Sequence, residues 1–196
     1  MFLKINESIL ISIIIIFIYI FYTLNNNKLT LVTLKTGENF RVVDDKNKMI
    51  AANLLSEIKT RMYKLRDHLE QNISKYKDYS MYIKLLIDNM NNKRTSIYEN
   101  DPNSDLTSFS VNKGEEIAFC LKSKKNKQFH DINLLMYVAI HEMSHIACPE
   151  VGHGDLFKKI FHFLVLCGIE IGVYSKEDYS LNPVEYCGMM LSSSIV

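Results

Sequence analysis

The sequence predicts a small α+β domain carried by one N-terminal transmembrane helix. Three observations predict it. An uncharged apolar run lies near the N-terminus, strand-like and 3.6-periodic apolar patterns follow one another through the body, and one helical segment carries two histidines and a glutamate at metal-binding spacing. The chain has 196 residues, 47% of them apolar, enough for one core and an appendage. A formal charge of +1 provides no global field for gathering nucleic acid or anionic lipid. Seven Gly and three Pro exclude collagen-like and broadly disordered chains.

Residues 1–28 read as the membrane anchor. From Ser8 to Leu24 there is no charge, a length at the short end of what spans a hydrocarbon core. Tyr19 and Tyr22 suit an interface, and Asn25, Asn26, Asn27 and Lys28 form a polar stop. A cleaved signal peptide is the rival, but no small-x-small site follows the run; a buried helix comes third. Lys28, Lys35 and Arg41 after the run, against Lys4 and the amino terminus before it, lean towards a cytoplasm-facing domain on a single-pass membrane protein.

Residues 29–196 read as the domain itself. Leu29 to Val43 alternates β-branched and polar residues and looks extended. A helical part covers about 46–90. In it Ile50, Leu54, Ile58, Met62, Leu65 and Leu69 draw one apolar stripe between Lys48 and Asn72, and a second run spans Met81 to Met90. Turn formers make Asn91 to Asp105 a loop. A hairpin is expected over 106–121, with strands Leu106–Val111 and Glu116–Leu121 about the turn Asn112-Lys113-Gly114-Glu115. The lysines of the following KSKKNK run read as a solvated turn in preference to a nucleic-acid contact, since no aromatic residues interleave them. Cys120, Cys148, Cys167 and Cys187 show no paired spacing and read as free thiols in a reducing compartment.

The chemistry concentrates in a helix expected over 131–147, opened by Asp131 as a cap. His141, Glu142 and His145 spell H-E-x-x-H. A four-residue step on a 3.6-residue helix brings both imidazoles to one face, where two nitrogens can grip one Zn²⁺. Glu142, one step round, can reach a zinc-bound water as base without binding the metal. A third ligand is required, with a fourth position open to water. His153 is favoured, because it follows the break at Pro149 to Gly152 and imidazole suits zinc; Glu170, on a C-terminal helix expected over about 154–171, is the rival, and Glu150 a weaker one.

These residues resemble a known family. The stretch from Val111 to Ile117, the strand end Leu121-Lys122, the segment His141-Glu142-Met143-Ser144-His145 and the pattern His153-Gly154-Asp155-Leu156-Phe157 look like the WLM (Wss1-like) and SprT-like metallopeptidase domains. The resemblance covers about Ser108 to Leu166. It implies that His141, His145 and His153 are zinc ligands and Glu142 the catalytic base. The third histidine comes eight residues after the second, closer to the longer SprT-like connection, and the soluble repair proteases of these families have no N-terminal anchor.

In the tail, Tyr174, Tyr179 and Tyr186 are candidate donors to an oxyanion, although packing is the ordinary role for each. Met189 and Met190 are candidates for a methionine turn beneath the zinc, with plain core as the alternative. The expectation is therefore a zincin-like metallopeptidase domain on a membrane anchor, with Zn²⁺ as cofactor and a protein or peptide as substrate. The substrate is expected to lie extended beside the strand Glu116 to Leu121. The alternative is a catalytically silent zinc-fold scaffold, against which the intact Glu142 argues.

Overall fold

The computed structural model describes residues 7–25, 29–91 and 93–196. Strands β1 (Leu29–Thr33) and β2 (Asn39–Val43) form an antiparallel hairpin, with Leu29 opposite Val43 and Thr33 opposite Asn39. The turn between them uses Gly37 at a φ of 84°, a conformation that costs glycine little. Two further antiparallel strands, β4 (Phe109–Val111) and β5 (Glu116–Phe119), flank the N-K-G turn. Between these hairpins lies β3 (Ser96–Glu99), parallel to β2 on one side and to β5 on the other. The sheet order is therefore β1-β2-β3-β5-β4.

Strand β3 corrects the expected loop at Asn91 to Asp105. Its four residues are flanked by turn formers, so no local periodicity announces them. Their stability comes from pairing with β5, with Ile97 opposite Ile117 and Tyr98 opposite Ala118. The last residue of β3, Glu99, is buried and accepts the Val43 N–H at 2.8 Å. Burial raises its carboxyl pKa, against the pull of Val43 and of Lys122, whose Nζ stands 3.6 Å away. Lys122 also pairs with Asp45 at 2.7 Å, and Lys124 donates to the Ser104 carbonyl at 2.6 Å. Two lysines of the KSKKNK run thus have partners within the fold.

Helices α2 (Lys48–Gln71) and α4 (Ile132–Ala147) meet the sheet, and α3 (Ser80–Asn89) and α5 (Asp155–Glu170) pack on those helices. Helix α2 packs on β1, β2 and β3, and α3 packs on α2 and on α4. The buried stripe of α2 runs through Ala51, Leu55, Ile58, Met62, Leu65 and Leu69, while Ile50 is exposed. Its first buried residues are the small Ala51 and Ala52. Helix α4 is the centre of the domain: Leu135, Met136, Ala139, Ile140 and Met143 are fully buried, at about 1.5–3 kcal/mol for each large apolar side chain. Asp131 caps it, its carboxylate accepting the Asn133 N–H at 2.7 Å. Helix α5 (Asp155–Glu170) lies against α4, and Gly168 permits the close approach, since a Cβ there would meet Ile140 Cδ1 at 3.0 Å.

The tail forms a hairpin that its sequence does not advertise, β6 (Val184–Tyr186) with β7 (Met189–Leu191). Its turn residues Cys187 and Gly188 both have positive φ, 52° and 91°, as a type I′ turn requires. A disulfide joins Cys187 to Cys120, just beyond β5. This corrects the reading of four free thiols: the partners are 67 positions apart, and only the tertiary fold brings them together. Cys148 and Cys167 remain free and buried.

The N-terminal anchor is also corrected. Helix α1 spans Glu7–Asn25, but among the described residues no helix is long and apolar enough to cross a membrane. The apolar stretch, residues 9–22, rises about 21 Å at about 1.5 Å per residue, against a hydrocarbon core of about 30 Å. The transmembrane helix drops out of the fold class, and with it the single-pass membrane placement and its cytoplasm-facing orientation. Lys4 and the end of the polar stop, residues 26–28, lie outside the described residues.

Candidate metal centre

His141 and His145 project from one face of α4, and their Nε2 atoms stand 3.2 Å apart. The helix ends at Cys148, where Pro149 blocks continuation, and the chain turns through Gly152 at a φ of 89°. That turn returns His153, whose Nε2 lies 3.1 Å from His145 Nε2 and 3.1 Å from His141 Nε2. Three ring nitrogens at these distances cannot all be satisfied by one another, since each either donates a proton or accepts one and a triangle leaves at least one pair alike. They converge on a common point instead. Ligands at about 2.0–2.1 Å from a tetrahedral Zn²⁺ are about 3.3 Å apart, so the triangle fits the ion. The three histidines form a group that could hold a metal.

Aromatic side chains fix the rings. Phe157, in the first turn of α5, stacks on His145 with centroids 4.3 Å apart and meets His141 and His153 edge-on at 5.0 and 4.8 Å. Phe161, one turn on, meets His141 at 5.2 Å. Burial, then the neighbouring imidazoles, pushes the His141 pKa down to about 3. Burial, then His153 and the Lys113 ammonium, pushes that of His145 down to about 4. Both rings are neutral at neutral pH and present lone pairs.

Glu142 is buried, and its carboxyl pKa is pushed up to about 7 by that burial, with a hydrogen bond to Ser110 opposing the rise. No cation pairs with it among the described residues. It lines, with all three histidines, a cavity of about 700 Å³. One wall of the cavity is Ser108 to Ser110 of the β4 region; another is Tyr137 and Val138 of α4; a third is Tyr186, Met189 and Leu191 of the tail hairpin.

The other nominated residues separate cleanly. Glu170 is the last residue of α5, where it pairs with Lys75 at 2.8 Å and accepts the Tyr76 hydroxyl at 3.2 Å, outside the cavity. Glu150 lies at the cavity rim and is exposed. Of the three tyrosines only Tyr186 lines the cavity, its hydroxyl bonded to Ser108 Oγ; Tyr174 and Tyr179 are buried around Tyr137. Met189 is a cavity wall and Met190 is exposed, so neither is plain core. The strand Glu116 to Leu121 is not a sheet edge either: β5 has partners on both sides, and the edge facing the cavity is β4. Sequence reading missed Ser110, Val138 and Lys113. The i−3 spacing of Val138 from His141 was the available signal for one of them.

No family model matches the sequence. The chain is 44% identical over 161 residues to "Uncharacterized protein R325" of Acanthamoeba polyphaga mimivirus, covering 82% of this chain and 81% of that one. It is 37% identical over 71 residues to "Uncharacterized protein 136R" of Invertebrate iridescent virus 6, 35% of this chain and 39% of the relative. The fold is similar to the crystal structure of Wss1 from Saccharomyces cerevisiae, with a TM-score of 0.50 and 21% identity, covering 67% of this chain and 88% of that chain. At that identity the likeness is one of fold.

Proposed function

This chain belongs to the same family as the mimivirus protein R325, and from the site it carries we propose that it is a zinc-dependent metallopeptidase. The observation that carries the reading is the triangle of His141, His145 and His153 nitrogens beside a buried, cation-free carboxylate. The three imidazoles would hold Zn²⁺, which when bound brings the pKa of its water towards neutrality and polarises a carbonyl. Glu142 takes the proton of the attacking water and hands it to the departing amine. The Ser110 hydroxyl holds that carboxylate in place, and the dry surroundings keep its proton affinity high enough for both transfers. The resemblance to WLM and SprT-like domains and the Wss1-like fold support the same reading.

The substrate is a protein or peptide segment in extended form. Strand β4 offers it a free sheet edge beside the histidines, where main-chain pairing holds a peptide with little demand on its side chains. The apolar wall of Val138, Met189 and Leu191 receives a side chain flanking the scissile bond. Glu142 favours turnover over a silent scaffold, because a structural zinc site needs no base.

The test combines metal analysis with cleavage of a casein-type substrate by the full chain. The expected result is one zinc per chain and hydrolysis. Glu142→Gln should keep the zinc and lose at least about 10²–10⁴ in turnover. Full activity in that variant, or no zinc in the parent chain, would end the reading.

A further inference from the structure

The third histidine sits on an exposed segment. Every residue from Pro149 to Asp155 is exposed, Val151 at 95%; the His153 ring meets the edge of Phe157, but the segment that carries it is not buried against the core. A metal site built on such a loop loses affinity to the entropy of ordering it. Polar contacts to the backbone of the loop reduce that cost.

Lys113 lies across its start. Its Nζ donates to the Cys148 carbonyl at 2.6 Å, to the His145 carbonyl at 3.3 Å and to the Glu150 carbonyl at 3.4 Å. The first two are carbonyls at the C-terminal end of α4, where a helix leaves acceptors unpaired and favours a cation. The third belongs to the loop itself. One ammonium therefore ties the last turn of the zinc helix, carrying His145, to the segment carrying His153.

The lysine is itself held rigidly. Asn112, Lys113 and Gly114 take φ values of 47°, 55° and 101°, and Val111 O accepts the N–H groups of Gly114 and Glu115 at 3.0 Å each. Arg94 clamps the turn from outside, donating to the Asn112 carbonyl at 2.9 Å and pairing with Glu115 at 3.2 Å. Gly114 lies against α4, where a Cβ would come 3.0 Å from Ile146 Cδ1. The N-K-G turn thus serves the metal site as well as the hairpin.

We propose that Lys113 is a positioning residue for the metal centre, pre-ordering the loop of His153 through the carbonyls of His145, Cys148 and Glu150. The inference rests on the three histidines being the zinc set. It makes a prediction of definite sign. A cation next to a metal site repels the ion, so removing the charge alone would tighten zinc binding. Loss of pre-ordering weakens it.

The test is zinc affinity of the full chain, measured by competition with a chromophoric chelator, for the parent, Lys113→Met and Lys113→Arg. Lys113→Met should bind zinc about 10- to 100-fold more weakly, the range for losing a group that orients metal ligands, and its Co²⁺ absorption should broaden or weaken. Lys113→Arg, which keeps charge and donors, should recover most of the affinity. Affinity in Lys113→Met equal to or above the parent's overturns the proposal, as does a Lys113→Arg chain no better than Lys113→Met. If Lys113→Met does not fold, judged by far-ultraviolet circular dichroism, Lys113→Gln replaces it in the same comparison. A parent chain that binds no zinc would defeat the metallopeptidase reading itself, an outcome distinct from equal binding by parent and variant.

Discussion

His141 Nε2 and His153 Nε2 lie 3.1 Å apart, although twelve positions and the end of a helix separate them. The approach is built by a helix stop at Pro149, a glycine turn at Gly152 and a phenylalanine, Phe157, against which all three histidine rings pack. It places the third nitrogen where the helix alone provides two.

The choice of third ligand is therefore open to direct measurement. His153→Ala should lower zinc affinity by orders of magnitude, since two imidazoles remain. Glu170→Ala removes only an exposed pairing with Lys75 and Tyr76 and should leave zinc binding within about twofold. Metal analysis and chelator competition read both; strong loss in Glu170→Ala with retention in His153→Ala would reverse the assignment.

The disulfide holds the tail hairpin, and with it one wall of the cavity. Closing a loop of 67 positions corresponds to about 4 kcal/mol in the chain-entropy model. Cys187→Ser should accordingly lower the unfolding free energy in urea by about 2–4 kcal/mol. It should also raise KM, because Tyr186 and Met189 lose their tether. A change below about 1 kcal/mol would mean that other contacts already hold the hairpin.

His130 gives the stability a pH dependence. Its ring is buried, its Nε2 accepts the Cys187 N–H at 3.3 Å, and burial holds its pKa below 6.5 against the raising influence of Glu185. A folded pKa depressed below the unfolded one means that the unfolded chain binds the proton first, so stability present above about pH 6.5 is lost as the pH falls. In chelator-treated protein, the urea midpoint should drop between pH 7.5 and 5.5, and His130→Gln should drop less. An equal drop in both would remove His130 from the account.

The cavity wall sets a preference among substrates. Met189 is 55% exposed, so Met189→Asp should fold as the parent does. It should raise KM about tenfold or more for peptides with a bulky apolar residue beside the cleaved bond, kcat changing little. Unchanged KM across a panel varying that residue would show that side chains bind elsewhere.

Much of this protein is legible from local pattern. The α4 helix, its Asp131 cap, the paired histidines and the hairpin about Gly114 follow from periodicity and turn chemistry, which act over a few residues and leave their mark in the order of side chains. The break at Pro149 to Gly152 favours His153 as the third nitrogen, and the resemblance drawn on His153 and Phe157 implies the same residue. The N-terminal apolar run shows the limit of the same method: absence of charge over residues 8–24 suggested a span, but the apolar stretch itself is too short for one.

What the sequence by itself determined is the chemistry on offer: two imidazoles on one helix face, a carboxylate one step round from them, and a histidine after a helix stop. Tertiary structure decided which groups meet. Strand β3 exists because β2 and β5 pair with it, β4 rather than β5 is the free edge, Cys120 finds Cys187, and Lys113 reaches three carbonyls at the end of α4 and in the loop after it. The physical reason is common to all of them. Each depends on contacts between segments far apart in the chain, whose free energy is gained only once the core has brought them together, so no local pattern of residues records it.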